Sequence, residues 1–424
     1  MEDLIPKDLA NFEFLILIFL GMVFTASVIS SKIKIPFTII LVIIGILISL
    51  LSLSNFMPVD LSEMKFSPEL ILFFVIPPLI FEAMMKINRK EFKEIRISAL
   101  LLATAGTVLA TLAGGFILEQ LTDIPPLLAY AFAALIAPTD AAIVIEIFKR
   151  IKVPKSISTL MQAEASFNDA TGIIIFSAIL SVAFISGSDF TDSNNFGNQI
   201  NIIENIENFL FEFFGGIAIG LIFAEIARRL HSLIDDQFSE TGLTLALVFG
   251  SIAVANSVGV SGLIAVAVAG LYFGNVTTKH ETILSEKSRV ASFDFWNMIA
   301  FFANSIAFLY LGLSMDIPTI VESLPLILVA FAVVLISRAI ATYPILGLIG
   351  KYTREKIPLK WQHVVVLGGM RGALSVALVS TIPESDFKHI LQTITFGVVL
   401  SSLLIQYPSL VSFIKKKNIT YDES

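Results

Sequence analysis

Glu164, Asn168 and Asp169 lie inside one long, mainly apolar segment, Ser158 to Ser186. A charged side chain at the centre of a membrane helix costs about 3 kcal/mol on insertion scales, so residues of this kind face a partner or a wet ion path. At about 100° per residue, Ala165, Asp169 and Gly172 share one helix face, while Glu164, Asn168 and Thr171 share a neighbouring one. Asp169 is therefore flanked by small residues that leave room for an ion, with Ser166 about 60° to its other side. Carboxylate, hydroxyl and freed carbonyl oxygens suit a hard cation such as sodium. A carboxylate in such a place also binds a proton, so proton and cation compete for Asp169, which is the logic of antiport.

Those residues need a membrane scaffold, and the composition supplies one. The chain has 424 residues, 56% hydrophobic and 15% charged, with apolar blocks of about seventeen or more residues, enough to cross a ~30 Å hydrocarbon core. It reads as an all-α polytopic membrane protein, a single integral membrane unit over 1–424. Cysteine is absent, which excludes disulfides, thiolate metal sites and cysteine nucleophiles. The net charge of −7 sums over two sides of a membrane and says little about partners; nothing in it points to nucleic acid. The acidic start lacks a basic leader region, so the first apolar block is expected to be a retained helix.

Apolar blocks place thirteen transmembrane helices, near 13–30, 35–55, 68–85, 97–119, 125–148, 158–186 and 205–227, then 241–257, 260–276, 292–315, 320–350, 360–381 and 388–413. Short cytoplasmic loops are enriched in Lys and Arg. Alternate loops hold Lys32 and Lys34, the run from Lys86 to Arg96, Lys149 to Lys155, Arg228 and Arg229, Lys279 to Arg289 and Lys351 to Lys360. Lys415 to Lys417 follow the last helix. The opposite loops hold only Lys7, Lys65 and Lys388. The N-terminus is therefore expected outside and the C-terminus inside.

Two of these segments contain breaks. Ala137-Pro138-Thr139-Asp140 interrupts the fifth, because proline removes a backbone donor and clashes with the preceding turn. Gly368-Gly369-Met370-Arg371-Gly372 interrupts the twelfth, where glycine permits unwinding. Each lies in the helix before the last of a six-helix block, the layout of two inverted repeats with discontinuous helices 5 and 12 whose ends bind an ion near the midplane. Arg338 and Arg371 also fall inside helices and need an anionic partner; Glu164 suits either, as a structural charge pair. Plainer roles compete at each position: Asp140 as a cap for the broken helix, Asn168 and Ser166 as interhelical hydrogen-bonding groups, Glu82 as an end-of-helix charge beside the basic loop. The four histidines are scattered and suggest no metal site.

Several motifs occur together in order. They are Pro77-Pro78-Leu79-Ile80-Phe81-Glu82-Ala83, Thr139-Asp140, Glu164-x-x-x-Asn168-Asp169, Ser261-Gly262-Leu263 through Ala269-Gly270-Leu271, and Gly369-Met370-Arg371-Gly372-Ala373. This set resembles the monovalent cation:proton antiporters, in the NhaP and sodium/proton exchanger branch, over nearly the whole chain. The resemblance implies an NhaA-like antiporter fold in a homodimer, with a core domain at about 97–186 and 320–413. A dimerisation and scaffold domain is implied at about 13–85 and 241–315, with a linker helix at 205–227. It implies electroneutral exchange of one sodium or lithium ion for one proton by an elevator movement, with no cofactor. Asp169 would carry proton and cation, Thr139 would be a sodium ligand, and Asn168 and Asp140 would support them. Glu82 becomes an acid beside the ion path, and Glu164 would pair with Arg338. Electrogenic relatives carry two adjacent aspartates where this chain has Asn168-Asp169, which selects the electroneutral mode.

Two positions depart from the family pattern. Ala165 stands where many members have a serine whose hydroxyl reaches the ion, so Ser166 or water would replace it. Ala141 stands where many have proline, with Pro138 ahead of Thr139 instead. The chain ends soon after Lys417, so control by kinases or calmodulin through a long C-terminal domain is not expected; a prokaryotic cytoplasmic membrane fits best. A potassium/proton antiporter of the same architecture is the nearest rival, since oxygen ligands do not fix cation size. An intramembrane aspartyl hydrolase using Asp140 and Asp169 lacks a glycine-rich motif around either acid. A channel would need several weak sites rather than one main carboxylate.

Overall fold

Hydropathy marks where a chain meets lipid, whereas capping chemistry marks where each helix begins, and here the two boundaries differ by a turn or more. A computed structural model describes residues 7–33, 35–52, 71–150, 153–185, 202–234, 236–277, 285–353, 355–380, 382 and 386–417. Its first helices are α1 (Lys7–Ile33), α2 (Phe37–Ser52) and α3 (Ile76–Met85), the last entered through a π turn at Ile71–Val75. Helix α4 (Arg89–Leu101) continues through a π turn, Leu102–Gly106, into Thr107–Leu121. Two halves follow, α5a (Pro126–Ile136) and α5b (Ala141–Arg150), then α6 (Lys155–Ile185), α7 (Ile202–His231), α8 (Gln237–Ser257), α9 (Gly262–Asn275) and α10 (Glu286–Leu313). The short helix Ile317–Glu322 leads to α11 (Leu324–Tyr352), the halves α12a (Leu359–Leu367) and α12b (Ala373–Ser380), and α13 (Asp386–Ser401). Helix α13 passes through a π turn, Ser402–Gln406, to Tyr407–Lys416. Among the described residues there is no strand. Among the described residues seven helices are long and apolar enough to cross a membrane, and several shorter apolar helices accompany them. The chain is a multi-pass integral membrane protein.

Caps explain where the apolar blocks misplace helix starts. Asn88 Oδ1 accepts from Lys90 N at 2.9 Å, so α4 opens at Arg89 rather than at 97, and the basic run Lys90, Lys93 and Arg96 is helical rather than loop. Ser285 Oγ accepts from Ser288 N at 3.2 Å and opens α10 at Glu286, six residues before the apolar block. Asp236 Oδ2 accepts from Ser239 N at 2.8 Å at the start of α8, and these hydrogen bonds hold the Asp236 carboxyl below the usual carboxylate range. In each case a side chain satisfies amides that the first turn leaves without partners. The long acidic loop near 187–204 lies mostly outside the described residues.

Lipid tails are as apolar as leucine, so helices associate through close packing and internal polar contacts. Small residues provide the closeness. Helices α2 and α10 touch backbone to backbone at Gly45 and Gly312, where a Cβ on Gly45 would stand 2.7 Å from Leu309 O. A Cβ on Gly270 of α9 would stand 2.8 Å from Phe81 O of α3. Phe81 joins Trp296 at 4.7 Å between ring centroids and Phe273 at 5.9 Å, and the buried Trp296 indole donates to Thr244 Oγ1 at 2.8 Å. A second group forms where α4 packs on α5a, α6 and α11, with α13 against α11 and α12b. Glu355, between α11 and α12a, straps this group. Its carboxylate accepts from Ile97 N at 3.0 Å, Ser98 N at 2.8 Å and Ser98 Oγ at 2.7 Å.

Candidate ion site at the crossing of two broken helices

Helix α5 stops at Ile136 and resumes at Ala141; helix α12 stops at Leu367 and resumes at Ala373. The two gaps meet. Asp140 N donates to Met370 O at 2.8 Å, so one break satisfies part of the other. The ends of α5a and α12a leave carbonyls without helical partners, and different groups satisfy each. Arg371 Nη1 donates to Ala137 O at 2.5 Å and to Pro138 O at 3.0 Å, which places a cation at the negative end of α5a. Gln406 Nε2 donates to Leu367 O at 2.7 Å, and Ser402 Oγ accepts from Arg371 N at 3.3 Å. Gln406 and Ser402 both belong to the π turn of α13, an irregularity of the kind that recurs at functional sites. Close glycine contacts leave little slack: a Cβ on Gly172 would overlap the Pro138 ring, and one on Gly372 would overlap the Asp140 side chain.

A buried polar chain runs from these breaks into α6. Arg338 of α11 grips Glu164 with two parallel bonds, Nη1 to Oε1 at 2.5 Å and Nη2 to Oε2 at 2.7 Å. Asn168 Nδ2 donates to Glu164 Oε1 at 3.2 Å and to Thr139 Oγ1 at 2.9 Å, while its Oδ1 accepts from Thr139 N at 3.3 Å. A carboxylate oxygen only accepts, so the Asn168 amide has one consistent orientation. Glu164, Asn168, Thr139, Arg338 and Arg371 are all buried. The Glu164–Arg338 pair and the carbonyls that accept from Arg371 offset part of the desolvation that charges meet at this depth.

Beside this frame opens a cavity of about 630 Å³ whose walls include Thr139, Asp140, Ser166, Asp169 and Glu82. Asp169 keeps part of its surface in it, and Ala165 lines the wall one turn earlier. Ser166 donates its hydroxyl to Gln162 O at 3.0 Å, which leaves its oxygen able to accept or to ligate. Glu82 comes from α3 and forms an ion pair with Lys86 one turn away. Five of the oxygen-bearing residues anticipated from sequence thus share one cavity, whereas Asn168 sits behind the wall and positions Thr139. Glu164 pairs with Arg338, and Arg371 serves the carbonyls of the other break. Apolar patterning did not single out Gln162, Ser375 and Asn304, which also line the cavity. Gln162 lies one turn before Ser166 on the same helix face, and helical periodicity alone identifies it.

Two discontinuous helices that cross over a carboxylate inside a membrane are the architecture of a secondary transporter. The family model described as sodium/hydrogen exchanger, transmembrane, matches residues 15–416. The Na(+)/H(+) antiporter ApNhaP of Aphanothece halophytica is 30% identical over 100% of this chain and 77% of its own length. The Na(+)/H(+) antiporter NhaH of Halobacillus aidingensis is 29% identical over 95% of this chain and 96% of its own. Among solved structures, the sodium proton antiporter MjNhaP1 of Methanocaldococcus jannaschii superposes with a TM-score of 0.75 at 20% identity, covering 96% of this chain and 99% of that one. The chain belongs to the sodium/hydrogen exchanger family.

Proposed function

We propose that this chain exchanges sodium or lithium ions for protons across a cell membrane, with both competing for Asp169. Family membership and relatives called Na(+)/H(+) antiporters support the activity. The observation that carries the site is a contrast among three membrane acids. Glu164 is held by Arg338 and Glu82 by Lys86, whereas among the described residues no cation pairs with Asp169 in the cavity wall. An unpaired carboxylate is free to take either a proton or a metal cation. Thr139, Asp140 and Ser166 would add oxygen ligands to the cation as substrate, and Glu82 would act as an acid on its path.

Exchange follows if the loaded carrier moves and the empty one does not. A bare carboxylate is too costly to carry through a dry interface, while a proton or cation neutralises it. In this reading α4 to α6 and α11 to α13 form the moving core. The scaffold, through which two copies pair, comprises α1 to α3 and α8 to α10, linked to the core by α7. The chain would cross the membrane thirteen times, with its N-terminus outside and its C-terminus in the cytoplasm. One sodium for one proton moves no net charge. Proteoliposomes given sodium, lithium or potassium test this: sodium or lithium should drive proton movement that a clamped membrane voltage leaves unchanged. A response to potassium alone would make it a potassium/proton antiporter, and a rate that follows voltage would overturn one-for-one exchange.

A further inference from the structure

The helical start of α4 carries a feature that ion exchange does not use. Lys90, Phe92, Lys93 and Arg96 line an open concavity of about 520 Å³ on the protein surface. The three cations are exposed, and they are far from the cavity that holds Asp169 in the sense that none of them lines it. Of the nearby acids, Glu91 accepts a hydrogen bond from Thr159 of α6 at 3.0 Å, and Glu355 is spent on Ile97 and Ser98. Glu94 alone remains exposed beside them on α4. Positive charge therefore dominates the concavity.

Directly beyond it the same helix presents an apolar surface. Ile97, Leu101, Val108, Leu112 and Phe116 are all at least one-third exposed. Ile97 to Val108 rises about 16 Å at ~1.5 Å per residue, close to half of a ~30 Å hydrocarbon core. A cationic recess with an aromatic wall, continuous with an apolar strip one leaflet long, matches one molecular shape. We infer that this face of α4 is a binding site for an anionic phospholipid, with the headgroup phosphate among Lys90, Lys93 and Arg96 and the acyl chains along Ile97 to Val108. Charge complementarity selects the anionic headgroup, and the strip selects a lipid over a soluble phosphate. Helix α4 packs directly on α5a and α6, so lipid bound here lies one helix away from the elements that hold the ion site.

Each Lys or Arg near an anionic surface contributes about 1 kcal/mol, roughly fivefold in affinity. Neutralising three should weaken binding by roughly a hundredfold. The experiment titrates phosphatidylglycerol, phosphatidylcholine or soluble glycerol phosphate into the purified full chain in detergent and follows bound lipid by native mass spectrometry. The variants are Lys90→Gln/Lys93→Gln/Arg96→Gln, the charge-keeping Lys90→Arg/Lys93→Arg/Arg96→Lys, and Lys415→Gln/Lys416→Gln as a control for general positive charge. Preferential phosphatidylglycerol binding that is lost in the first variant and kept in the other two supports the site. Equal binding of phosphatidylcholine, full occupancy by glycerol phosphate, or an equal loss in the Lys415/Lys416 control overturns it. The charge-keeping variant separates loss of charge from loss of fold.

Discussion

Asp169→Asn is expected to abolish sodium-evoked proton movement while leaving the protein folded. Asparagine has the same shape but neither releases a proton in this range nor neutralises a cation, so both halves of the exchange fail together. The loss should exceed a hundredfold and reach the background of empty vesicles, because Asp169 is the carboxylate for which proton and cation compete, and two of the other acids are paired. Glu164 is committed to Arg338, and Glu82 stands on α3 with Lys86. The fold should survive, since Asp169 borders the cavity and holds no salt bridge among the described residues. A melting temperature at or above that of the parent protein, with transport absent, is the expected pair of results. Normal transport by Asp169→Asn would place the carrier elsewhere.

The second large effect is structural. Glu164→Leu removes one partner of a buried, doubly hydrogen-bonded pair and leaves the Arg338 guanidinium without compensation. Breaking such a pair costs about 3–5 kcal/mol, whereas replacing both partners with apolar residues is often neutral. Glu164→Leu should therefore melt well below the parent, and the double variant Glu164→Leu/Arg338→Met should melt above the single one. The Asn168 amide loses an acceptor in both, which loosens its hold on Thr139, so the double variant should regain stability faster than it regains transport. Thermal melts of the parent and the two variants in detergent decide this. A double variant that melts at or below Glu164→Leu would mean that the pair does not act as a unit.

Much of this arrangement was legible in the chain because it rests on residue types that a membrane otherwise excludes. Pro138 and the Gly368 to Gly372 run mark the two breaks at the places where the helices stop. The 3.6-residue period sorts Asp169 and Ala165 onto the cavity and Glu164 and Asn168 onto the buried frame. The choice between Arg338 and Arg371 was not legible from position, since both lie inside helices and either has the reach. Geometry separates them: Arg338 crosses from α11 to Glu164, and Arg371 lies within one break and caps the carbonyls of the other. Gln406 and Ser402 escaped notice because a neutral polar residue near the end of an apolar helix carries little signal. Their roles depend on a π turn that periodicity does not register. Helix starts such as Arg89 were missed for a related reason, since hydropathy follows lipid contact and ignores the Asn88 cap.

In the mechanism proposed here, sodium and a proton displace each other at one carboxylate, Asp169. Proton release on adding sodium to the purified protein in weakly buffered detergent solution measures that exchange without a membrane, a gradient or a voltage. At a pH where the site is protonated, about one proton should appear per sodium bound, and the apparent sodium affinity should fall tenfold for each pH unit below the site's own titration. Asp169→Asn should release none. Sodium binding without proton release, or equal release from Asp169→Asn, would contradict the account.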